Sequence, residues 1–378
     1  MPRSSKPIAL AALAFLGCAA KGTVLGGVTS IAAGYSHTCA IVSGGALCWG
    51  DNSQGQIGDE LTGTPATSPA QVFGLTSGVT AIAGGGFHTC AVVSGAAQCW
   101  GANYYGQLGN SSTSTVANTP VPVLGLSSDV SALAAGYSHS CAVAGGGVLC
   151  WGSNANGQLG GGSAGGISLV PVAVPSLTVG VEALAAGYAH SCALQNGGVL
   201  CFGSNSNGQL GNGTTADSSV PVAVTGLAGP VLAVAAGAGS LHSCALLESG
   251  EVWCWGANSS GQLGNGTTAD SSVPVQVTGL PGGAVGIAAG ALHSCALLGS
   301  GGAWCWGYGG NGQLGNGSTA SSAVPVAVLG VANGTGIAAG GTHACFLAGG
   351  NVQCWGENQL GQLGNGTLTD SSVPVSVQ

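Results

Sequence analysis

Short alternating segments of hydrophobic and polar residues fill most of the chain, and the same set of segments returns about every 50 residues. The unit around His190 shows this most clearly, with β-type segments at residues 181–187, 190–194, 198–203 and 220–224. Segments of this length, bounded by Gly, Asn and Ser, are typical of strands, and none has the 3.6-residue period of a helix. Each unit therefore predicts one four-stranded sheet.

The histidines mark the period of this repeat. Consecutive histidines are 51, 51, 51, 52, 51 and 50 residues apart, and all seven histidines of the chain belong to the series. Repeats near 50 residues, made of short strands and glycine turns, indicate propeller blades. We therefore predict an all-β, seven-bladed β-propeller over residues 23–378. The repeats cover residues 28–75, 79–126, 130–177, 181–227, 231–280, 285–330 and 336–378.

The two ends of the repeat region suggest how the ring closes. The first strand lies at residues 28–34, and the chain ends with a lone Val-Pro-Val strand at residues 373–378. If each Val-Pro-Val strand belongs to the blade that follows it, the last one joins the first blade and hides both free edges. Proline lacks a backbone donor, so we place these strands at or near a blade edge. The prolines concerned are Pro221, Pro274, Pro325 and Pro374.

Residues 1–20 are predicted to be a secretory signal peptide. They contain two cations, an apolar run at residues 8–16 and then small residues up to Ala20. Leu16-Gly17-Cys18 resembles a bacterial lipoprotein cleavage box, in which Cys18 becomes lipidated; the alternative is ordinary cleavage after Ala20. Either route predicts an exported protein, extracellular, periplasmic or lipid-anchored at the cell surface, with no membrane contact except through such an anchor.

Composition narrows the range of functions. Only 4% of residues are charged, and the three cations are Arg3, Lys6 and Lys21. Binding of nucleic acid through a basic groove is excluded, because neutralising phosphates requires many cations. Gly and Pro together make up 88 of the 378 residues, a share close to that of disordered chains, but the regular repeat assigns these residues to turns.

The repeat resembles a known family once its motifs are aligned. In the fourth unit these motifs are Gly187-Tyr188-Ala189-His190, Cys201-Phe202-Gly203 and Gly208-Gln209-Leu210-Gly211. They are similar to the repeats of the regulator of chromosome condensation type, and the resemblance extends over residues 28–378. It implies a propeller fold, and it is weak evidence for function because propellers are scaffolds that carry many different sites.

Fourteen of the 15 cysteines form seven pairs within the repeats. Folding the fourth unit about Asn196-Gly197, which suits a two-residue type I′ turn, places Cys192 opposite Cys201 with Cα atoms about 4.5 Å apart. That distance permits a disulfide, which export favours; the alternative is buried, reduced cysteines at positions that are hydrophobic in the family. The pairs are Cys39 and Cys48, Cys90 and Cys99, Cys141 and Cys150, Cys192 and Cys201, Cys244 and Cys254, Cys295 and Cys305, and Cys345 and Cys354.

The repeated histidines and aromatic residues are predicted to be structural. Seven symmetry-related copies cannot converge on one substrate, so we expect each imidazole to bond the backbone of its own or the next blade. The Trp of each Trp-Gly pair, replaced by Phe202 in the fourth unit, is interpreted as packing between blades. We expect no catalytic residue, no metal site and no cofactor. The histidines are His37, His88, His139, His190, His242, His293 and His343, and the tryptophans are Trp49, Trp100, Trp151, Trp255, Trp306 and Trp355.

Function is expected where the repeats differ from one another. The residues just before each Gly-Gln-Leu-Gly motif vary, and they should share one rim of the ring. Tyr104, Tyr105, Tyr308 and Leu360 are apolar enough to anchor a partner. The alternative is neutral variation of the loops.

Three functions are consistent with the sequence. The first is a non-enzymatic, monomeric, exported scaffold that binds an unknown protein or glycan. The second is a secreted inhibitor similar to the propeller inhibitors of β-lactamase. The third is guanine-nucleotide exchange, which the family resemblance implies.

Overall fold

Seven four-stranded antiparallel sheets form the blades of a ring in the computed structural model, which describes residues 24–378. This confirms the predicted all-β, seven-bladed propeller. The predicted signal peptide and Cys18 lie outside the described residues. Within residues 24–378, no helix has the length and apolar character that crossing a membrane requires.

Each blade consists of four successive strands paired in chain order. Blades 1 and 2 comprise β1 (Val28–Ala33), β2 (His37–Val42), β3 (Gly45–Gly50), β4 (Ala66–Gln71), β5 (Val79–Gly84), β6 (His88–Val93), β7 (Ala96–Ala102) and β8 (Val116–Pro122). Blades 3 and 4 comprise β9 (Val130–Ala135), β10 (His139–Ala144), β11 (Gly147–Ser153), β12 (Ile167–Ala173), β13 (Val181–Ala186), β14 (His190–Gln195), β15 (Gly198–Gly203) and β16 (Ser218–Ala223). Blades 5 and 6 comprise β17 (Val231–Ala235), β18 (His242–Leu247), β19 (Val252–Gly256), β20 (Ser271–Gln276), β21 (Ala284–Ala289), β22 (His293–Leu298), β23 (Ala303–Gly307) and β24 (Ser322–Ala327). Blade 7 comprises β25 (Gly334–Ala339), β26 (His343–Ala348), β27 (Asn351–Gly356) and β28 (Ser371–Ser376).

The second and third strands of each blade form a hairpin with the predicted register. In blade 4, Cys192 pairs with Cys201 and Gln195 pairs with Gly198. The turn residues Asn196 and Gly197 have φ angles of 52° and 72°, the left-handed conformations that a type I′ turn requires. The hairpins of blades 5 and 6, which contain one more residue, have longer turns.

A disulfide crosses the hairpin of every blade. The paired Cα atoms lie 4.0–4.1 Å apart, slightly closer than the spacing expected from the register. All seven predicted pairs are bonded, so the cysteines are not the reduced residues of the alternative interpretation. Because disulfides persist in oxidising compartments, their number favours an extracellular environment. The bonds are Cys39–Cys48, Cys90–Cys99, Cys141–Cys150, Cys192–Cys201, Cys244–Cys254, Cys295–Cys305 and Cys345–Cys354.

The predicted closure of the ring by the C-terminal strand is wrong. Strand β28 pairs with β27 of its own blade, and Cys354 lies opposite Val375. Every Val-Pro-Val strand pairs in this way with the strand that precedes it, so the repeat and the blade have the same boundaries. The last strand is therefore not needed in blade 1, where β4 already occupies the outer position. The prolines do lie on edge strands, as predicted.

The ring closes instead through the contacts that join all neighbouring blades. The chain ends meet where Leu25 N donates to Val377 O at 3.0 Å. Trp49 of blade 1 donates to the main-chain oxygen of Gln362 in blade 7, also at 3.0 Å. The boundary between blades 7 and 1 thus has the tryptophan contact that five of the other six boundaries also have.

The boundary between blades 2 and 3 shows these contacts in full. The main-chain oxygen of Gln107 in blade 2 accepts from Trp151 Nε1 at 2.8 Å and from Ser140 Oγ at 3.0 Å, both in blade 3. Ser140 Oγ also lies 2.8 Å from Nε2 of His88 in blade 2. Since the hydroxyl hydrogen is directed to the carbonyl, His88 donates from Nε2. The histidine therefore bonds a hydroxyl of the next blade. The expected hydrogen bond to the backbone is not formed.

The tryptophans pack between blades, as predicted. Trp151 is fully buried in one cluster with Cys90, Cys99 and Leu108 of blade 2. Gly109, at φ 64°, lies so close to the ring that an added Cβ would be 2.8 Å from it. Glycine is required here both by the backbone conformation and by this close approach.

Two boundaries depart from the pattern. Ala344 of blade 7 occupies the position of Ser140, so both ring nitrogens of buried His293 lack a hydrogen-bond partner. Phe202 occupies the position of Trp151 and has no donor for the Gln158 carbonyl, which Ser191 Oγ alone reaches at 3.0 Å. Leaving a buried polar group unpaired costs about 1–3 kcal/mol.

The boundary at Ala344 provides a test of these contacts. The variant Ala344→Ser should raise the melting temperature by about 1–3 °C, because the hydroxyl can accept from His293 and donate to the carbonyl of Gln313. Differential scanning calorimetry of the purified protein measures the shift. An unchanged or lower melting temperature would contradict the role given to these hydroxyls.

Burial keeps the seven histidines neutral. Desolvation lowers the pKa of each from 6.5 to about 3 or 4. Well above pH 6.5 the imidazoles are neutral in both the folded and the unfolded chain. Between pH 6.5 and about 4 only the unfolded chain takes up protons, so protonation favours unfolding in this range.

The free energy of unfolding should therefore be nearly constant above pH 7 and fall steeply as the pH drops from 6.5 towards 4. Each histidine contributes a slope of up to about 1.4 kcal/mol per pH unit, and unfolding at pH 5 should take up close to seven protons. Urea unfolding at a series of pH values measures the slope. Equal stability at pH 7 and pH 5 would show that the histidines do not titrate as described.

Candidate functional site

The inner strands of the seven blades surround a narrow central channel. It is lined almost entirely by alanine and glycine, with a volume of about 200 Å³. Ala32, Ala134 and Ala185 are representative lining residues. None of the lining residues carries a charged or nucleophilic side chain, so the channel itself has no chemistry for catalysis.

Aromatic side chains gather at one mouth of this channel, where each inner strand ends and the chain turns towards the repeat's histidine. The ring centroid of Tyr137 lies 4.8 Å from that of Tyr188, 5.6 Å from that of Tyr35 and 5.7 Å from that of Phe87. The first pair is tilted, and the other two are edge to face, an arrangement that aromatic rings favour. Blades 1 to 4 thus supply one continuous aromatic cluster.

Tyr35 reaches across the mouth of the channel. It belongs to blade 1, yet its ring contacts Tyr137 of blade 3. An added Cβ on Gly239 of blade 5 would lie 2.8 Å from this ring, and one on Gly341 of blade 7 would lie 3.0 Å from it. The small residues of blades 5 and 7 therefore leave the space that the tyrosine occupies.

Tyr104 and Tyr105 extend the cluster outwards along blade 2. Their side chains are 54% and 47% exposed, and Tyr188 is 48% exposed. Two adjacent hollows of about 250 and 260 Å³ lie between these rings and share Tyr105, Tyr137 and Ser138. We call the surface formed by six residues the aromatic face; they are Tyr35, Phe87, Tyr104, Tyr105, Tyr137 and Tyr188.

The aromatic face makes the propeller asymmetric. It holds five of the six tyrosines in the chain, all on blades 1 to 4. Gly239, Ala291 and Gly341 follow the inner strands in blades 5 to 7. The candidate binding surface therefore lies on one side of the channel mouth.

Only part of the predicted rim belongs to this surface. Tyr104 and Tyr105 lie in it, but Tyr308 and Leu360 are half-buried in blades 6 and 7 and line neither hollow. The sequence analysis did not predict a binding role for the four aromatic residues at the channel mouth, which are Tyr35, Phe87, Tyr137 and Tyr188. They could have been found from the two variable residues before each histidine, which are Tyr35-Ser36 in blade 1 and Gly86-Phe87 in blade 2.

Charge is absent from the aromatic face. Neither hollow is lined by an acidic or basic side chain, and all three lysine and arginine residues precede residue 24. In the described part of the chain, no three His, Cys, Asp or Glu side chains are grouped so that they could hold a metal ion. The surface can offer aromatic faces, hydroxyls and carboxamides, which suit binding.

Packing within the cluster affects the ionisation of Tyr137. Its pKa is raised above the usual 10, mainly by burial and further by the neighbouring phenols of Tyr35, Tyr188 and Tyr105. In an alkaline spectrophotometric titration, Tyr137→Phe should remove a component that ionises above pH 10. If the component lost in this variant titrates at or below pH 10, the ring is not packed as described.

Comparison with known proteins agrees with this architecture. A family profile described as the RCC1-like domain matches residues 5–345, and the regulator of chromosome condensation (RCC1) repeat matches residues 349–378. The ultraviolet-B receptor UVR8 of Arabidopsis thaliana is 32% identical over 311 residues, which are 80% of this chain and 70% of the receptor. The E3 ubiquitin-protein ligase HERC2 of Homo sapiens is 32% identical over 71% of this chain, but this chain spans only 6% of that ligase.

Solved structures show the same fold at lower identity. Yeast RCC1 (Prp20), in its complex with Kap60, has a TM-score of 0.76 and 23% identity, covering 95% of this chain and 86% of that one. Human WBSCR16 has a TM-score of 0.75 and 23% identity, covering 85% and 87% of the two chains. With the seven blades and the repeated motifs, these matches show that the chain belongs to the RCC1-like domain family.

Proposed function

We propose that this protein is a non-enzymatic, exported interaction scaffold that binds its partner on the aromatic face. The observation that supports this most strongly is the collection of five tyrosines and Phe87 on one side of one channel mouth. Exposed tyrosines are typical anchors of binding interfaces, because they bury a large area at a small cost in conformational entropy. Blades without these aromatics provide the rigid frame.

The rest of the chain supports a binding role outside the cell. The predicted signal peptide at residues 1–20 and the seven disulfides both fit export. Anchoring through Cys18 would hold the protein at a membrane surface, whereas cleavage after Ala20 would release it. We propose that the propeller acts as a monomer in either case.

A second candidate function is inhibition of another protein, similar to the propeller inhibitors of β-lactamase. The aromatic face favours this function too, because aromatic anchors can occupy the active-site cleft of an enzyme. The two functions differ in outcome, since an inhibitor abolishes an activity of the partner that it binds. Guanine-nucleotide exchange gains no support from this surface.

The experiment is capture of partners from the cell surface with the intact protein as bait. The double variant Tyr104→Ala/Tyr105→Ala should lose a specific partner, with at least a tenfold drop in its recovery, because both exposed anchors are removed. Quantitative mass spectrometry of the captured proteins measures the loss.

The matched control is Tyr308→Ala, which removes a tyrosine from a corresponding loop in blade 6. It should leave recovery unchanged. Equal recovery by the double variant and by the unchanged protein would contradict binding at the aromatic face.

A further inference from the structure

One carboxamide beneath the aromatic face, that of Gln107, lines a hollow and has no hydrogen-bond partner for its Nε2 group. In blades 5 to 7 the Nε2 atoms of Gln262, Gln313 and Gln362 also lack a partner, but they are buried and do not line this hollow. In blades 1, 3 and 4 the glutamine side chain of the corresponding loop donates to the residue five positions earlier. Gln158 Nε2 donates to Ser153 Oγ at 3.3 Å, and Gln209 Nε2 donates to Ser204 Oγ at 3.3 Å. In blade 1 the acceptor is a carboxylate, that of Asp51, which receives Gln56 Nε2 at 2.8 Å.

Blade 2 has Ala102 at the position of this acceptor. The alanine side chain cannot accept a hydrogen bond, and no other group in residues 24–378 accepts one from Gln107 Nε2. Gln107 is only 2% exposed, yet together with Ala102 it lines the hollow between Phe87, Tyr105 and Tyr137. The unpartnered donor therefore faces this hollow, which we call the first hollow.

The carboxamide oxygens of the first hollow are already in use. Gln107 Oε1 accepts from the backbone N–H of Tyr105 at 2.9 Å. Gln54 Oε1 accepts from the hydroxyl of Tyr104 at 2.7 Å. What these two side chains still offer is N–H groups, so the hollow favours a ligand that brings hydrogen-bond acceptors.

A ligand for this site must also be neutral and must present apolar faces to the rings. A proline-rich segment in the polyproline II conformation meets each of these requirements. Proline has a carbonyl and no N–H, and the carbonyls of this helix make no internal hydrogen bonds. Pyrrolidine rings pack on aromatic residues, and the preformed helix loses little entropy on binding.

We propose that the aromatic face binds a proline-rich segment of a partner protein, with prolines packed in the two hollows and one segment carbonyl accepting from Gln107 Nε2. This inference rests on the proposed function and specifies the chemistry of the partner. A glycan fits less well, because its hydroxyls donate as well as accept and the carboxamide oxygens of the first hollow are occupied. An anionic ligand is disfavoured because no lysine or arginine side chain lines either hollow.

The test measures binding of fluorescein-labelled decaproline to the intact protein by fluorescence anisotropy, with an equally labelled (Gly-Ser)5 peptide as the negative probe. Decaproline should bind and (Gly-Ser)5 should not. Tyr137→Ala should weaken decaproline binding at least tenfold. Ala102→Ser should weaken it about threefold to tenfold, because the new hydroxyl accepts from Gln107 Nε2 as Ser153 does in blade 3.

The matched control is Ala257→Ser, the same substitution at the corresponding position of blade 5. It should leave decaproline binding unchanged, and the melting temperatures of all variants show whether the fold is intact. Ala102→Ser is informative because it adds a hydrogen bond that exists in two other blades and does not disturb the core.

Three results would overturn the proposal: no decaproline binding at millimolar concentration, equal binding by Tyr137→Ala, or saturable binding of cellohexaose that Tyr137→Ala abolishes. In the last case the aromatic face would still be the interaction surface and its ligand would be a glycan. If partner capture also survives Tyr104→Ala/Tyr105→Ala, the proposed function itself fails. The two failures are therefore distinguishable.

Discussion

One main-chain carbonyl in each repeat holds each blade to the next; it belongs to the glutamine of Gly-Gln-Leu-Gly, which is Gly-Gln-Ile-Gly in blade 1. It is buried away from the strand ladders, so it needs donors from elsewhere. At five of the seven boundaries a tryptophan and a hydroxyl of the following blade supply them, and at the other two only one of these donors is present. Where the hydroxyl is present, it also accepts a hydrogen bond from the histidine of the preceding blade. No repeat can complete this set alone, because every donor comes from its neighbour. Every repeat finds a neighbour only in a closed ring, and at the boundary between blades 7 and 1 Trp49 donates to the Gln362 carbonyl.

Covalent and non-covalent interactions have separate roles in this fold. Each disulfide cross-links a hairpin of about ten residues within one blade and contributes roughly 2.5–3 kcal/mol in the chain-entropy account. The blades are joined by packing and buried hydrogen bonds, because the described residues contain no lysine or arginine that could form ion pairs with carboxylates. Acid should therefore weaken the ring through its neutral histidines, whereas reduction would loosen the blades one at a time.

Local features of the sequence predict the blade well and the assembly less well. The dipeptide Asn196-Gly197 determines the hairpin register, so the pairing of Cys192 with Cys201 could be read from turn chemistry alone. The outer Val-Pro-Val strand was assigned to the wrong blade because a long loop, not a tight turn, connects it to the strand with which it pairs. The length of such a loop does not determine which sheet edge the strand joins. The contact between Tyr35 and Tyr137 could not be foreseen either, since it spans two blades and depends on ring curvature and on the space left by Gly239.

The repeats thus separate structure from function: residues that recur in the blades join them, and residues that differ form the aromatic face. The most direct test of this separation compares Trp151→Phe with the double variant Tyr104→Ala/Tyr105→Ala, measuring both melting temperature and partner capture for each. Trp151→Phe removes one inter-blade donor, as Phe202 does naturally, and should lower the melting temperature by about 1–3 °C while capture stays unchanged. The double variant should lose capture and leave the melting temperature within about 1 °C, because both side chains are about half exposed. If both variants change both quantities, the blade joints and the binding surface are not separate, and the account is contradicted.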